Sequence, residues 1–375
     1  MRNRLLTTAV MIACAGISLN ASADESTTIS GKMFADVTSL TQESNSTEIA
    51  PSGMGMDVKR FYLGVNKDFG DMWSANLTSD FGYDSYAGLT QVFVKKAYVQ
   101  AKVSDAVTVR AGAADMPWGP YVEGLYGMRY VENTLLDRLK FSTSSDWGLH
   151  LFGKTSDGTV NYAVSLINGG GFKNPLTVTQ KPYVNTSDAG AAKDPVTAAS
   201  TSRTKGMDIE ARVGFRPING LDLGIGYYNG KLGKDYTGTT ATVETASRLT
   251  AVAAYKTDQY SVGAEYFSAE NGLDTTKAAD KADGSSLYGS YKLQDNVSVF
   301  ARYDSANPNK TTAPNLTDTY YNVGIGYQPR KNIDLALVYK QETVENGSIS
   351  TSNGTIGGTT DGTYNEIGVW SQVSF

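Results

Sequence analysis

Apolar and polar residues alternate along much of this chain with a period of two. Successive side chains of a β-strand leave on opposite faces, so this pattern predicts half-buried strands. Three stretches show it most clearly. Val107, Val109 and Ala111 alternate with Thr108, Arg110 and Gly112. Leu221, Leu223, Ile225 and Tyr227 alternate with Asp222, Gly224, Gly226 and Tyr228, and Ile333, Leu335, Leu337 and Tyr339 with Asp334, Ala336, Val338 and Lys340. Reading on this basis predicts about sixteen strands of roughly 9–12 residues, the length a tilted membrane-crossing strand needs. They fall at 28–38, 57–66, 72–82, 91–102, 106–114, 146–154, 159–168, 206–216, 221–230, 248–256, 259–269, 285–293, 297–305, 319–328, 332–342 and 363–375.

The connections between these strands sort by length. Tight turns follow the even-numbered strands, at Lys67 to Asp71, Val103 to Asp105, Thr155 to Gly158, Pro217 to Gly220, Thr257 to Asp258, Gln294 to Asn296 and Pro329 to Lys331. They are rich in Gly, Asn, Asp and Pro, whose backbone preferences close hairpins. Longer connections follow odd-numbered strands, at 39–56, 115–145, 169–205, 231–247 and 343–362 among others. Short turns on one rim and long loops on the other predict an all-β fold, a transmembrane antiparallel up-and-down β-barrel with both termini on the short-turn side. After the N-terminal segment no run approaches the roughly 18 apolar residues of a membrane-spanning helix.

The two predicted faces differ in kind. Inward positions carry Arg60, Asp80, Lys96, Gln100, Lys102, Arg110, Asp208, Glu210, Arg212, Glu265, Arg302 and Asp304, whereas outward ones are mainly Val, Leu, Ile, Ala, Phe and Tyr. A barrel of about sixteen strands is too wide for its side chains to fill. A wet lumen in which these charges keep their hydration is therefore expected, since a dry core would strip them of water at high cost. Lys95 falls on the outward face of its strand and does not fit. Tyr227, Tyr255, Tyr266, Tyr291, Tyr303, Tyr327 and Tyr339 sit at or near outward strand ends, where an aromatic girdle belongs. The plainer reading of these rings is β-propensity.

The first 23 residues read as a signal peptide. Arg2 and Arg4 precede a short apolar run, Leu5 to Leu19, and Ala21-Ser22-Ala23 gives a small-x-small cleavage site. That leaves 24–375 as a single barrel domain. A lipoprotein acylated at Cys14 is the alternative, but Met11-Ile12-Ala13 is a poor match for it. Cleavage after Ala23 removes the only Cys, so the exported chain has no disulfide. The 39 Gly and 23 Tyr, against 4 Trp and 10 Pro, suit short alternating segments. A formal charge of -5 becomes -7 once the two arginines are cleaved away, which argues against a nucleic-acid partner.

The third long connection, Asp115 to Ser145, is unlike the others. It holds Met116, Pro117, Trp118, Tyr121, Leu125, Tyr126, Tyr130, Leu135, Leu136 and Leu139, together with Glu123, Arg129, Glu132, Asp137, Arg138 and Lys140. A loop both apolar and charged should lie against the inner wall. Here the sequence resembles the phosphate-selective porins O and P and their relatives. The matching stretches are Lys59-Arg60-Phe61-Tyr62-Leu63-Gly64-Val65, Lys96-Ala97-Tyr98-Val99, Ala113-Ala114-Asp115-Met116-Pro117-Trp118-Gly119, Gly148 to Lys154, Asn161-Tyr162-Ala163-Val164 and Asn168-Gly169-Gly170. The resemblance covers about 57–171 and is only general beyond it. It implies sixteen strands, a homotrimer and a third loop folded inward to narrow the pore. Phosphate selectivity is not carried over, because the family's ladder of arginines and lysines cannot be traced here. The C-terminal strand, with Ile367, Val369, Val373 and Phe375 on one face, resembles the signal that bacterial barrels present to their assembly machinery.

Two readings of the loop charges stand side by side. In one, Glu123, Arg129, Glu132, Asp137, Arg138 and Lys140 line an eyelet opposite Arg60, Lys96, Lys102 and Arg110, and create a transverse field. In the other they pair among themselves and pin the loop. Catalysis has little support. The one histidine, His150, falls on an inward face without a G-x-S-x-G motif, and one His with no Cys makes a transition-metal site improbable. No cofactor is expected, and the Gly-Gly-Gly at 169–171 reads as flexibility. The expected function is passive diffusion of small hydrophilic solutes and ions, anions among them, through a channel set in outer-membrane lipid. The competing reading is an anchor or adhesin whose long loops at 169–205 and 343–362 are the working surface; these read as solvated.

Overall fold

A computed structural model describes residues 26–84, 89–173, 207–232, 245–271 and 279–375. The expected signal peptide and most of the connections 169–205 and 231–247 lie outside the described residues. The strands are β1 (Thr27–Ser44), β2 (Thr47–Glu48), β3 (Gly53–Asp68), β4 (Trp73–Asp84), β5 (Leu89–Ser104), β6 (Val107–Asp115), β7 (Ser145–Lys154), β8 (Val160–Ile167), β9 (Asp208–Phe215) and β10 (Leu221–Gly230). They continue as β11 (Ala246–Lys256), β12 (Tyr260–Asn271), β13 (Asp280–Gln294), β14 (Val297–Asn307), β15 (Thr317–Arg330), β16 (Ile333–Glu345), β17 (Ser348–Thr351), β18 (Gly354–Gly357) and β19 (Gly362–Ser374).

The main sheet has 17 strands; setting aside the two-residue β2 leaves sixteen that pair in sequence and close when β19 joins β1. Each neighbouring pair is antiparallel, and every predicted strand is present. Closure pairs the backbone polar groups that a hydrocarbon surrounding cannot satisfy. At the seam Phe375 exchanges two backbone hydrogen bonds with Gly31, at 2.9 and 3.0 Å.

Alternation holds on the outer wall. Ile225, Leu249, Leu287, Val323 and Leu337 are exposed there, as are Tyr227, Tyr266, Tyr291, Tyr303 and Tyr327. Away from the three register shifts beside the tight turns, it breaks at two places on the inner wall. In β3 the register against β1 shifts so that Phe34 pairs with Arg60 and Ala35 with Val58, leaving Lys59 as the extra residue of a bulge. In β5 Thr78 pairs with Lys96 and Ser79 with Val94, leaving Lys95 extra. A bulge lets two consecutive residues face one side. The outward assignment of Lys95 is corrected accordingly: it turns to the lumen and is 6% exposed.

The uniformly wet lumen is also corrected. Of the inward charges, Arg60, Lys96 and Arg110 keep 22–29% of their side-chain surface. Asp80, Asp208, Glu210, Arg212, Glu265, Arg302 and Asp304 are buried. The residues after β6 fold inward, as expected, and cover the wall of β9 to β16. They carry two helices, α1 (Gly119–Tyr126) and α2 (Leu135–Arg138). The connection 343–362, read as solvated, is exposed over much of its length but packed on one side. Its β17–β18 hairpin buries Ile356 against Leu316, Val344 and Tyr364, and Gln42 Nε2 in β1 donates to the Thr355 carbonyl at 2.6 Å.

Candidate functional site: the lumen constriction

The third loop is seated by glycines. Inward-facing Gly224 and Gly226 of β10 leave a groove, and a side chain at either would lie 2.7 Å from Tyr121 or 2.6 Å from Trp118. The Trp118 backbone N–H donates to Glu210 Oε1 at 2.8 Å and its indole N–H to Glu265 Oε1 at 3.1 Å. Arg212 Nε donates to the Pro117 carbonyl at 2.9 Å. The two buried carboxylates and this guanidinium thus gain partners that water would otherwise supply. Pro120 sits in the first turn of α1, where its missing N–H costs nothing, and Gly127 at φ +75° ends the helix.

Beyond α1 the loop is clamped by charge. Arg138 meets Asp304 at 3.0 Å, Asp318 at 2.6 Å and Glu342 at 2.8 Å, and all four side chains are 0% exposed. Its guanidinium lies 4.7 Å from the centre of the Tyr320 ring. Arg302 bridges to Asp304 and donates to the Asn133 carbonyl. Glu132 pairs with Lys340 at 3.4 Å and accepts from Ser352 Oγ at 2.8 Å. The Ser352 N–H also donates to the Arg138 carbonyl at 2.8 Å, so the last loop locks the third.

Four expected eyelet residues are therefore placed elsewhere. Arg138 and Glu132 are sealed against the wall because β14 to β16 present carboxylates and a lysine to receive them. Lys140, at φ +60°, donates to Ser350 Oγ at 2.6 Å beneath the last loop. Lys102 pairs with Asp105 of the tight turn at 2.7 Å, at the short-turn mouth.

The remaining six converge. On the loop, Arg129 pairs with Glu123 at 3.0 Å and Asp137 at 3.1 Å, all three partly exposed. On the wall, Arg60 pairs with Asp80 at 2.9 Å, and Asp115 holds both Lys96 at 2.5 Å and Arg110 at 3.2 Å. A recess of about 630 Å³ lies in the lumen beside the loop. Its lining includes four cations, Lys32, Lys95, Lys96 and Arg129, and two carboxylates, Asp115 and Glu123. Among the described residues both carboxylates are ion-paired, while Lys32 and Lys95 have no carboxylate partner. The two readings of the loop charges divide the residues between them: one group pins, the other faces the wall.

Loop titration follows the same division. Burial raises the Asp137 carboxyl above its ordinary pKa, with Arg129 only partly offsetting it. Burial would raise Glu132 too, but Lys340 and Ser352 outweigh it and hold it at about 2. Burial opposes the charge on Arg129, yet Asp137 and Glu123 more than compensate and its pKa is raised. Lys59, Lys95 and Tyr62 escaped the sequence reading. The signal available was two adjacent basic residues inside an alternating strand, once at 59–60 and once at 95–96. His150 is buried between Ser165 Oγ at 2.8 Å and the Gly112 carbonyl at 3.3 Å.

A family model described as Gram-negative porin matches residues 7–347. No curated protein matches the sequence. Among solved structures, the anion-selective porin from Comamonas acidovorans is similar with a TM-score of 0.65 at 11% identity, covering 94% of this chain and 100% of that one. In vitro folded OmpT of Vibrio cholerae, in its trimer form, is similar at 0.58 and 11% identity, covering 94% and 100%. OprB of Pseudomonas putida is similar at 0.59 and 12% identity, covering 94% of both chains.

Proposed function

The chain belongs to the Gram-negative porins, outer-membrane channels for passive diffusion; from that premise we propose that it is a homotrimeric pore with a preference for small anions, exported with residues 1–23 removed. The observation that carries the preference is the uncompensated charge of the recess, where four cations line the path against two carboxylates already held in ion pairs. In a water-filled gap between low-dielectric walls such an excess raises the local concentration of the opposite ion. A similar fold is found in the anion-selective porin from Comamonas acidovorans. The paired charges of Arg129 with Glu123 and Asp137, facing Arg60 and Lys96, add a field across the path that admits polar solutes.

The trimer is supported by an asymmetry of the outer wall. The exposed tyrosines Tyr227, Tyr260, Tyr266, Tyr291, Tyr303 and Tyr327 lie on β10 to β15, while β1, β3, β4 and β5 expose aliphatic residues such as Val37, Leu63, Val65 and Leu77. A surface meeting the lipid boundary favours amphipathic rings, and one meeting another subunit does not need them. The OmpT trimer form gives a precedent for such an assembly.

Zero-current potential across a planar bilayer under a potassium chloride gradient tests the preference. The natural protein should favour chloride, and Arg129→Glu or Arg110→Glu should shift the potential toward potassium. An unmoved potential in both variants would sink the assignment of these residues.

A further inference from the structure

The bulge at Lys95 has a second effect besides adding charge. It brings Phe93 and Lys95 to the same inner face as Lys96, and into a run of alternating rings and ammonium groups along the wall. Phe93 stacks on Phe172 with centroids 5.7 Å apart and planes at 23°. Lys173 lies 4.8 Å from the centre of Phe93. Lys95 Nζ lies 5.0 Å from Phe172 and 4.8 Å from Tyr62, to whose hydroxyl it donates at 3.3 Å. Tyr62 in turn meets Phe34 edge-on at 6.0 Å. Phe172 and Lys173 border a cavity on the long-loop side, while Lys95, Tyr62 and Phe34 border the recess beside the third loop. The run therefore joins two parts of the conduit.

For chloride alone the rings serve no purpose. A ring presents a partly negative face, which repels a bare anion and attracts the lysine instead. Rings flanking a cation suit a solute with an anionic oxygen group on a flat apolar body: the group meets the ammonium and the body covers the ring. Lys95 has two N–H donors left after its bond to Tyr62. It is nine-tenths buried, and no carboxylate among the described residues pairs with it.

We propose that the alternating run Lys173, Phe93, Phe172, Lys95, Tyr62 and Phe34 is a track for aromatic carboxylates, with Lys95 as its central anion site. The proposal rests on the anion-preferring channel reading and narrows it to a solute class. Size alone predicts that benzoate passes more slowly than acetate. The track predicts the reverse, because the partly exposed rings of Phe93, Phe172 and Tyr62 offer the larger anion a surface that the smaller one cannot use.

The test is bi-ionic potential with chloride on one side and benzoate or acetate on the other, using the full-length protein in planar bilayers. The expected benzoate-to-acetate permeability ratio exceeds one in the natural protein and falls severalfold in Phe172→Leu, which keeps apolar bulk but loses the ring. Lys95→Gln should lower benzoate and acetate permeability together. Phe172 lies in a connection outside the strands, so its replacement leaves the barrel to fold. A ratio below one with ordinary chloride conductance, or a ratio unchanged in Phe172→Leu, would overturn the track and leave the channel standing. Absence of chloride conductance in the natural protein would overturn both.

Discussion

The two halves of the lumen solve opposite problems with the same kinds of residue. Along β9 to β16 the inward charges are dry. Arg302, Asp304 and Glu342 of that wall, and Arg138 of the loop lying on it, are 0–1% exposed, and each pays its loss of hydration through direct ion pairs. Along β3 to β6, Arg60, Lys96 and Arg110 also have partners yet keep about a quarter of their surface. The difference is whether the third loop lies on them. A charge on the covered side is a fastening, while one on the open side faces the permeating solute. Burial together with ion pairing to the loop distinguishes the two roles, where residue type does not: Asp80 and Lys95 on the open half are buried as well, but neither fastens the loop.

Removing the central fastening should produce the largest effect. Arg138→Met leaves the buried Asp318 and Glu342 without their cation and Asp304 with Arg302 alone, and breaking a buried pair of this kind costs roughly 3–5 kcal/mol. Thermal unfolding of the folded barrel in detergent should show a large drop. The comparable change on the open side, Lys96→Met, should cost under about 1 kcal/mol by the same assay, because its partner Asp115 is itself partly exposed and keeps Arg110. Equal losses would erase the contrast between the halves.

Gly226→Leu tests the seating independently of charge. Forcing a side chain into the space of Trp118 should cost roughly 1–3 kcal/mol and displace the start of the loop. Single-channel conductance should change in the same variant. Deletion of 348–357 is expected to be milder for stability but to raise conductance, since the hairpin holds Ser352 against Arg138 and Glu132.

The smallest expected effect is titration. The Glu132 pKa is depressed from 4.5 to about 2, so its stabilising contribution is full above 4.5 and fades as pH falls toward 2. Asp137 is raised instead, above 3.8, and so takes its proton first on acidification. Moderate acid should therefore shift the zero-current potential further toward chloride while the loop fastening persists. Loss of the fastening before any change in selectivity would reverse this assignment.

Much of the barrel was legible because its signal is local. Alternation over about ten residues sets a strand, and a turn such as Pro217 to Gly220 needs only its own sequence. The sealed half was not legible, since Arg138 finds Asp304, Asp318 and Glu342 between 166 and 204 positions away. The last loop misled for another reason. Its Ser and Thr look like solvent residues, yet Ser352 and Thr351 spend their hydroxyls on the buried carboxylates of Glu132 and Glu342. The lining cations were half legible: Arg60, Lys96 and Arg110 follow the alternation, whereas Lys59 and Lys95 obey it only after the bulges are known.

Those two extra residues make the channel's charge adjustable in an unusual way. Deleting Lys95 would leave Phe93 inward, Val94 outward and Lys96 inward, an unbroken ladder with every flanking side chain still on its own face. The same holds for Lys59 between Val58 and Arg60. Elsewhere in a strand a one-residue loss would turn half of it inside out. At these two sites the shorter gene product would fold as a plainer version of the same pore, one positive charge poorer, so length changes as well as substitutions lie open to selection there.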